Sequence, residues 1–370
     1  MGSIIKTLVL IAALIFVASL LIGVRGKTMA KLLKIAVVIL VIAGAGWYFR
    51  GTWMPNAGGG FAINPFASSP SKSIIYNDHT LDIPTGYNED GNVATEHFNH
   101  CLEYYIANTD SAEYNPQFSH LLISFCNTIH SEELFRQGFD NLLFDAMTCD
   151  YSMSELLLAY GICKKTLSTG ETIVLVVARG TGNDGWEIAS NFDVSPDHYG
   201  RHSGFSDAAQ ILHTKLLDFL GPIDLSKVVF VITGHSRGAA AANILSAMLI
   251  DENIRQDHLY CYTFACPDTA FLSDSQAESY KCIYNIGNVN DVVSWTPWNI
   301  WKESGSYYGF GADTHWNKYG QSYWYSTSDW NGSLEASINN LDPEHYQATY
   351  LGFLRNEEPL SYYKTRAEIH

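Results

Sequence analysis

The chain has 370 residues, 47% of them hydrophobic and 16% charged, with 22 Tyr and 9 Trp. That is enough apolar material for one substantial core, and the composition excludes a disordered chain. Six of the 22 Lys and Arg fall in the first fifty residues, which hold no acid; the rest carries 16 basic residues against 38 acidic ones, a balance that repels nucleic acid and anionic lipid headgroups.

Ile4–Val24 is a nearly continuous apolar run broken only by Lys6, and Ile35–Phe49 is a second, shorter one. About 20 apolar residues are needed to cross a bilayer. The first run meets that length and the second approaches it. Between them Arg25, Lys27, Lys31 and Lys34 form a basic loop, which the positive-inside rule keeps cytoplasmic. Residues 1–50 are therefore expected to be a membrane anchor of one or two transmembrane segments, with the body extracytoplasmic. Two other readings stay open: a start at Met29, or cleavage after Ala43-Gly44-Ala45 releasing a secreted protein. Residues 51–75, rich in Gly, Ser, Pro and Asn, read as a linker. Residues 76–370 read as the folded body of the chain.

From Val93 to Leu167 the patterns are mostly helical, including a helix opened by a capping-box-like Ser152 or Ser154. The character then changes. Glu171–Ala178, Lys227–Thr233, Leu259–Ala265 and Lys281–Ile286 are short, continuously apolar runs, as in strands covered on both faces. Helical stretches at Phe205–Leu220, Ala239–Asp251 and Asp274–Tyr280 alternate with them. This predicts an α/β fold with a mostly parallel sheet flanked by helices. The seven Cys form no Cys-x-x-Cys pair, and most read as small buried hydrophobes, with one disulfide possible.

Gly234-His235-Ser236-Arg237-Gly238 matches G-x-S-x-G between the strand-like KVVFVIT and the helix-like AAAANILSAMLI. Strand, sharp turn and small-residue helix are what a nucleophile elbow requires, with Ser236 exposed at the top of a sheet. A serine hydroxyl needs a base, an orienting acid and oxyanion donors to act. Acids following it include Asp268 and Asp291; Asp291 is preferred because it follows a strand's C-terminal end. Bases include His315, His345 and His370.

From about Asn115 to Leu351 the chain resembles the class 3, fungal-lipase-like branch of the α/β-hydrolases, in the form found in Gram-positive bacteria. The resemblance lies in VLVVARGT (Val174–Thr181), Trp186, HSGF (His202–Phe205), TGHSRGAA, TFACPD (Thr263–Asp268) and YNIGNVNDVVSWTP (Tyr284–Pro297), in that order. It implies an α/β-hydrolase fold and a lipase or esterase using Ser236, Asp291 and His345. The amides of Thr181 and Arg237 would form the oxyanion hole, the Thr181 hydroxyl assisting. It also implies structural roles for Arg179, Trp186, His202 and His315, and makes Asp193 a candidate buttress for Thr181. No cofactor or metal is called for; the partners expected are a lipid or small acyl ester and the membrane. A phospholipase or lysophospholipase is the alternative enzyme, and a catalytically dead tethered binding protein the alternative outside enzymes. Six of the nine Trp fall between Trp295 and Trp330, either as an apolar lid or as a packed aromatic subdomain.

Overall fold

The computed structural model describes residues 74–152, 158–182, 191, 193–296, 314–325, 345–355 and 364–365. The expected anchor at residues 1–50 and nearly all of the linker lie outside these, as do Trp186, Trp298, Trp301, Trp330 and His370. Among the described residues no helix is long and apolar enough to cross a membrane.

An eight-stranded sheet forms the centre. Its strands are β3 (Ala146–Asp150), β4 (Tyr160–Thr166), β5 (Thr172–Ala178), β6 (Val228–His235), β7 (Leu259–Phe264), β9 (Ile283–Asn288), β11 (Gln321–Tyr325) and β12 (Lys364–Thr365). They lie side by side in the order β12-β11-β9-β7-β6-β5-β4-β3. The five from β5 to β11 run parallel; β4 on one side and β12 on the other run against them, and β3, antiparallel to β4, closes that edge. Two small antiparallel pairs stand apart: β1 (Leu81–Tyr87) with β2 (Val93–Phe98), and β8 (Ala270–Leu272) with β10 (His315–Asn317).

Every residue of β5, β6, β7 and β9 is buried, because helices cover both faces. Alternate strand residues (Ile173, Leu175, Val177; Val229, Val231; Tyr260, Tyr262) pack in one core. It takes in α1 (Leu102–Asn108), α2 (Pro116–Thr128), α3 (Glu132–Leu142) and α7 (Gln347–Arg355). The intervening residues (Val174, Val176; Val228, Phe230, Ile232; Leu259, Cys261) pack in a second core with α4 (Ser203–Leu220) and α5 (Arg237–Asp251). A short helix, α6 (Asp274–Glu278), opens with a capping box from Ser273 and Gln276.

The strands and helices expected after Glu171 are found within a few residues of their predicted bounds. The stretch from Val93 to Leu167 differs: Val93–Phe98 and Tyr160–Thr166 are strands, not helix. Seven residues of β4 pair with β5 from Tyr160↔Ala178 to Thr166↔Thr172, so the open edge of the sheet outweighs the local helical pattern of GICKK. The seven cysteines are all free thiols, six buried and Cys149 half-buried. Burial alone pushes the thiol of Cys126 up to about 12, and such thiols behave as inert packing groups.

Candidate active site

The site is assembled at the C-terminal ends of the parallel strands. β6 ends at His235 and α5 begins at Arg237, leaving Ser236 as the one-residue bend between them. Its backbone sits at φ 56° and ψ −124°, a conformation costing a non-glycine residue about 1–3 kcal/mol and found chiefly at functional sites. The flanking glycines make the bend sterically feasible. A Cβ on Gly238 would overlap the backbone carbonyls of Ala178 and Arg179, and one on Gly234 would overlap the carbonyl of Gly238. Ser236 occupies the N-cap of α5, yet its side chain makes no capping hydrogen bond. Its Oγ turns instead to His345.

His345 lies two residues before α7, and Asp291 three residues beyond β9. The structure brings both to Ser236. His345 Nε2 is 2.9 Å from Ser236 Oγ, and His345 Nδ1 is 2.9 Å from Asp291 Oδ2. A carboxylate only accepts, so Nδ1 carries the proton and Nε2 is left to accept from the serine hydroxyl. Asp291 is fully buried, a costly place for a carboxylate unless donors surround it. Besides His345 it receives the Val293 amide at 2.9 Å, the Ser294 hydroxyl at 3.2 Å and the Tyr350 phenol at 2.9 Å. Tyr350 is itself aimed by the Asn288 amide, which donates to its oxygen at 3.0 Å. Burial and the Asp291 charge push the phenol well above its usual range, so it remains a donor.

Thr181 and Arg237 flank the nucleophile. A Cβ on Gly180 would come within 3.5 Å of Ser236 Cβ, so the turn after β5 abuts the elbow. The Arg237 amide is the first of α5, at the positive end of that helix. Its guanidinium turns back: Nη1 donates to Asn191 Oδ1 at 2.8 Å and Nη2 to the Gly204 carbonyl at 3.3 Å. A guanidinium cannot accept, which fixes the orientation of the Asn191 amide. Asn191 Nδ2 accordingly donates to Thr181 Oγ1 at 3.0 Å, and the Thr181 hydroxyl proton points away from Asn191. Asn191, not Asp193, therefore buttresses Thr181. Asp193 is exposed and accepts from Ser195 Oγ at 2.6 Å; a residue projecting into solvent cannot brace the turn.

The other candidates fall elsewhere. Asp268 is buried against Lys318, whose Nζ donates to it at 2.6 Å. His315 approaches Asp274 at 3.2 Å on β10. His202 stacks on Phe205 at 3.9 Å; burial, aided by the Arg237 charge, lowers its imidazole to about 3. Among the tryptophans, Trp295 stacks on Trp324 at 4.1 Å and Trp316 packs on Phe271 at 4.3 Å. These three form packed aromatic structure. Tyr350, Ser294 and Asn191 escaped sequence reasoning.

Residues 176–300 match the family model for lipase (class 3). The match spans about a third of the chain, including Ser236 and Asp291 but not His345. Over this segment the chain is lipase-like. No curated protein sequence matches it. Similar solved structures include a triacylglyceride lipase of Rhizomucor miehei, at 18% identity and TM-score 0.38, covering 56% of this chain and 77% of that one. A mono- and diacylglycerol lipase of Aspergillus oryzae follows at 16% identity and TM-score 0.41, covering 59% and 82%. M37 lipase shows 15% identity and TM-score 0.43, covering 67% and 97%.

Proposed function

We propose that the protein is a serine carboxylic ester hydrolase of lipase type, working through an acyl-enzyme. The observation that carries this reading is the unbroken line Ser236 Oγ, His345 Nε2, His345 Nδ1, Asp291 Oδ2, each contact 2.9 Å. In it, Ser236 Oγ bonds to the ester carbonyl carbon while its proton passes to His345 Nε2. The carbonyl π electrons move to oxygen, where the amides of Thr181 and Arg237 and the Thr181 hydroxyl receive the charge. Asp291, accepting from Nδ1–H, stabilises the imidazolium. Collapse breaks the C–O bond, and His345 returns its proton to the leaving alkoxide oxygen, which departs as the alcohol. Water then attacks the acyl-serine by the same route, releasing the acid and restoring Ser236.

The substrate class proposed is a lipid or small acyl ester. A panel of acylglycerols, phospholipids and lysophospholipids separates lipase from phospholipase action. Labelling by a fluorophosphonate tests the chemistry without knowledge of the substrate. Wild-type protein should be labelled and Ser236→Ala should not; equal labelling of the two removes Ser236 from the mechanism. The apolar runs at Ile4–Val24 and Ile35–Phe49, with the basic loop between them, support a body tethered outside the cytoplasmic membrane. Protease added to intact cells should then digest the body, and protection from it would refute that placement.

A further inference from the structure

His235, immediately before the nucleophile, has no part in the proton transfers above, yet it touches the base. Its Nε2 is 2.8 Å from the main-chain oxygen of His345, and the two rings lie 4.9 Å apart. A carbonyl only accepts, so His235 carries its proton on Nε2. The other nitrogen, Nδ1, is buried and makes no hydrogen bond. It faces the turn after β5, where a Cβ on Gly180 would come within 3.4 Å of it. Burial first, then the nearby His345 and His130, hold this imidazole well below its usual range. One neutral tautomer is thus consistent with every neighbour.

The carbonyl it holds sits at a sensitive point. At the start of α7 the amides of Thr349 and Tyr350 both go to the Tyr346 carbonyl. The His345 carbonyl, one residue earlier, takes its hydrogen bond from the end of β6. Adjacent residues of one strand end therefore hold the base from two directions. Ser236 Oγ meets the imidazole, and His235 Nε2 meets the backbone that carries it. Resting on the ester-hydrolase reading, we propose that His235 is a positioning residue, whose Nε2–H bond to the His345 carbonyl registers the base imidazole over the nucleophile. Since both contacts arise from the end of β6, the distance from Ser236 to His345 does not depend on the packing of α7 alone. Misplacement of a catalytic group by about 1 Å can cost on the order of a hundredfold in rate.

The test compares His235→Gln, whose amide nitrogen reaches where Nε2 stands, with His235→Leu, which fills similar space and cannot donate. The readouts are the second-order rate of fluorophosphonate labelling and kcat and KM on a p-nitrophenyl ester, each normalised to the folded fraction by end-point labelling. His235→Leu should lose roughly 30- to 100-fold in kcat and in labelling rate with KM nearly unchanged, and His235→Gln should recover most of it. A side chain that merely fills the core would lose thermal stability in both variants without separating them in kcat. Equal rates for the two, or a His235→Leu rate equal to wild type, overturns the proposal while labelling of wild type but not Ser236→Ala leaves the hydrolase reading standing. Failure of wild type to label overturns both.

Discussion

Acid should destabilise this protein through its buried imidazoles, and His202 allows the effect to be isolated. Its ring is enclosed by Phe205 at 3.9 Å and Trp316 at 5.9 Å, beside the Arg237 guanidinium. Burial, with that positive charge, lowers its pKa from 6.5 to about 3. A base with a depressed folded-state pKa binds fewer protons folded than unfolded, so its contribution to stability is complete above the unfolded value. It is lost as pH falls from there through the folded value, that is, between 6.5 and about 3. Each pH unit in that window is worth about 1.4 kcal/mol. Acidification from about pH 7.5 to about pH 4.5 should therefore remove roughly 2–3 kcal/mol through His202. His202→Phe keeps a ring stacked on Phe205 and cannot titrate. Urea denaturation of both proteins across this range, followed by tryptophan fluorescence, gives two stability curves. They should converge or cross by that amount on acidification, whatever their offset at neutral pH. Parallel curves would refute the reasoning.

Tyr350→Phe removes a charge-assisted hydrogen bond to Asp291 and the acceptor of the Asn288 amide's hydrogen bond. A loss of about 1.5–3 kcal/mol in stability and about tenfold or more in labelling rate is expected, and an unchanged labelling rate would remove Tyr350 from the positioning of the acid. Asp291→Asn should lower kcat by roughly a thousandfold or more through the wrong His345 tautomer. Asp268→Asn should affect kcat little, so a larger effect at Asp268 in steady-state kinetics would reverse the assignment. Thr181→Val should reduce kcat about ten- to a hundredfold with a small change in KM, as expected for a donor acting on the oxyanion. Lys318→Met removes the ammonium that pairs with the buried Asp268 carboxylate and should cost about 3–5 kcal/mol, read as a fall in melting temperature.

Much of the catalytic half of this protein was legible in the chain. Continuous runs such as TIVLVVA and VVFVIT have no polar face to show to water, so they require cover on both sides and hence a parallel sheet between helices. The elbow is local in the same sense, since Gly234, Ser236 and Gly238 lie within five residues and their steric needs are written in their order. The sequence singled out Asp291 from its place after a strand and from the resemblance to class 3 lipases, and His345 from that resemblance alone; the structure sets both in line with Ser236.

What lay beyond the chain's own pattern depends on contacts between distant segments. The residues at 160–166 have a helical pattern, yet they pair with β5 because an open strand edge offers seven partners at once. Asn191 is an ordinary polar residue until Arg237, 46 residues later, fixes which way its amide faces. Tyr350 and His235 likewise matter through an Asp291 oxygen and a His345 carbonyl that only folding brings near. Periodicity and turn chemistry act over a few residues and can be read directly, whereas a hydrogen bond spanning a hundred residues has no local signature and exists only once the sheet has brought its ends together.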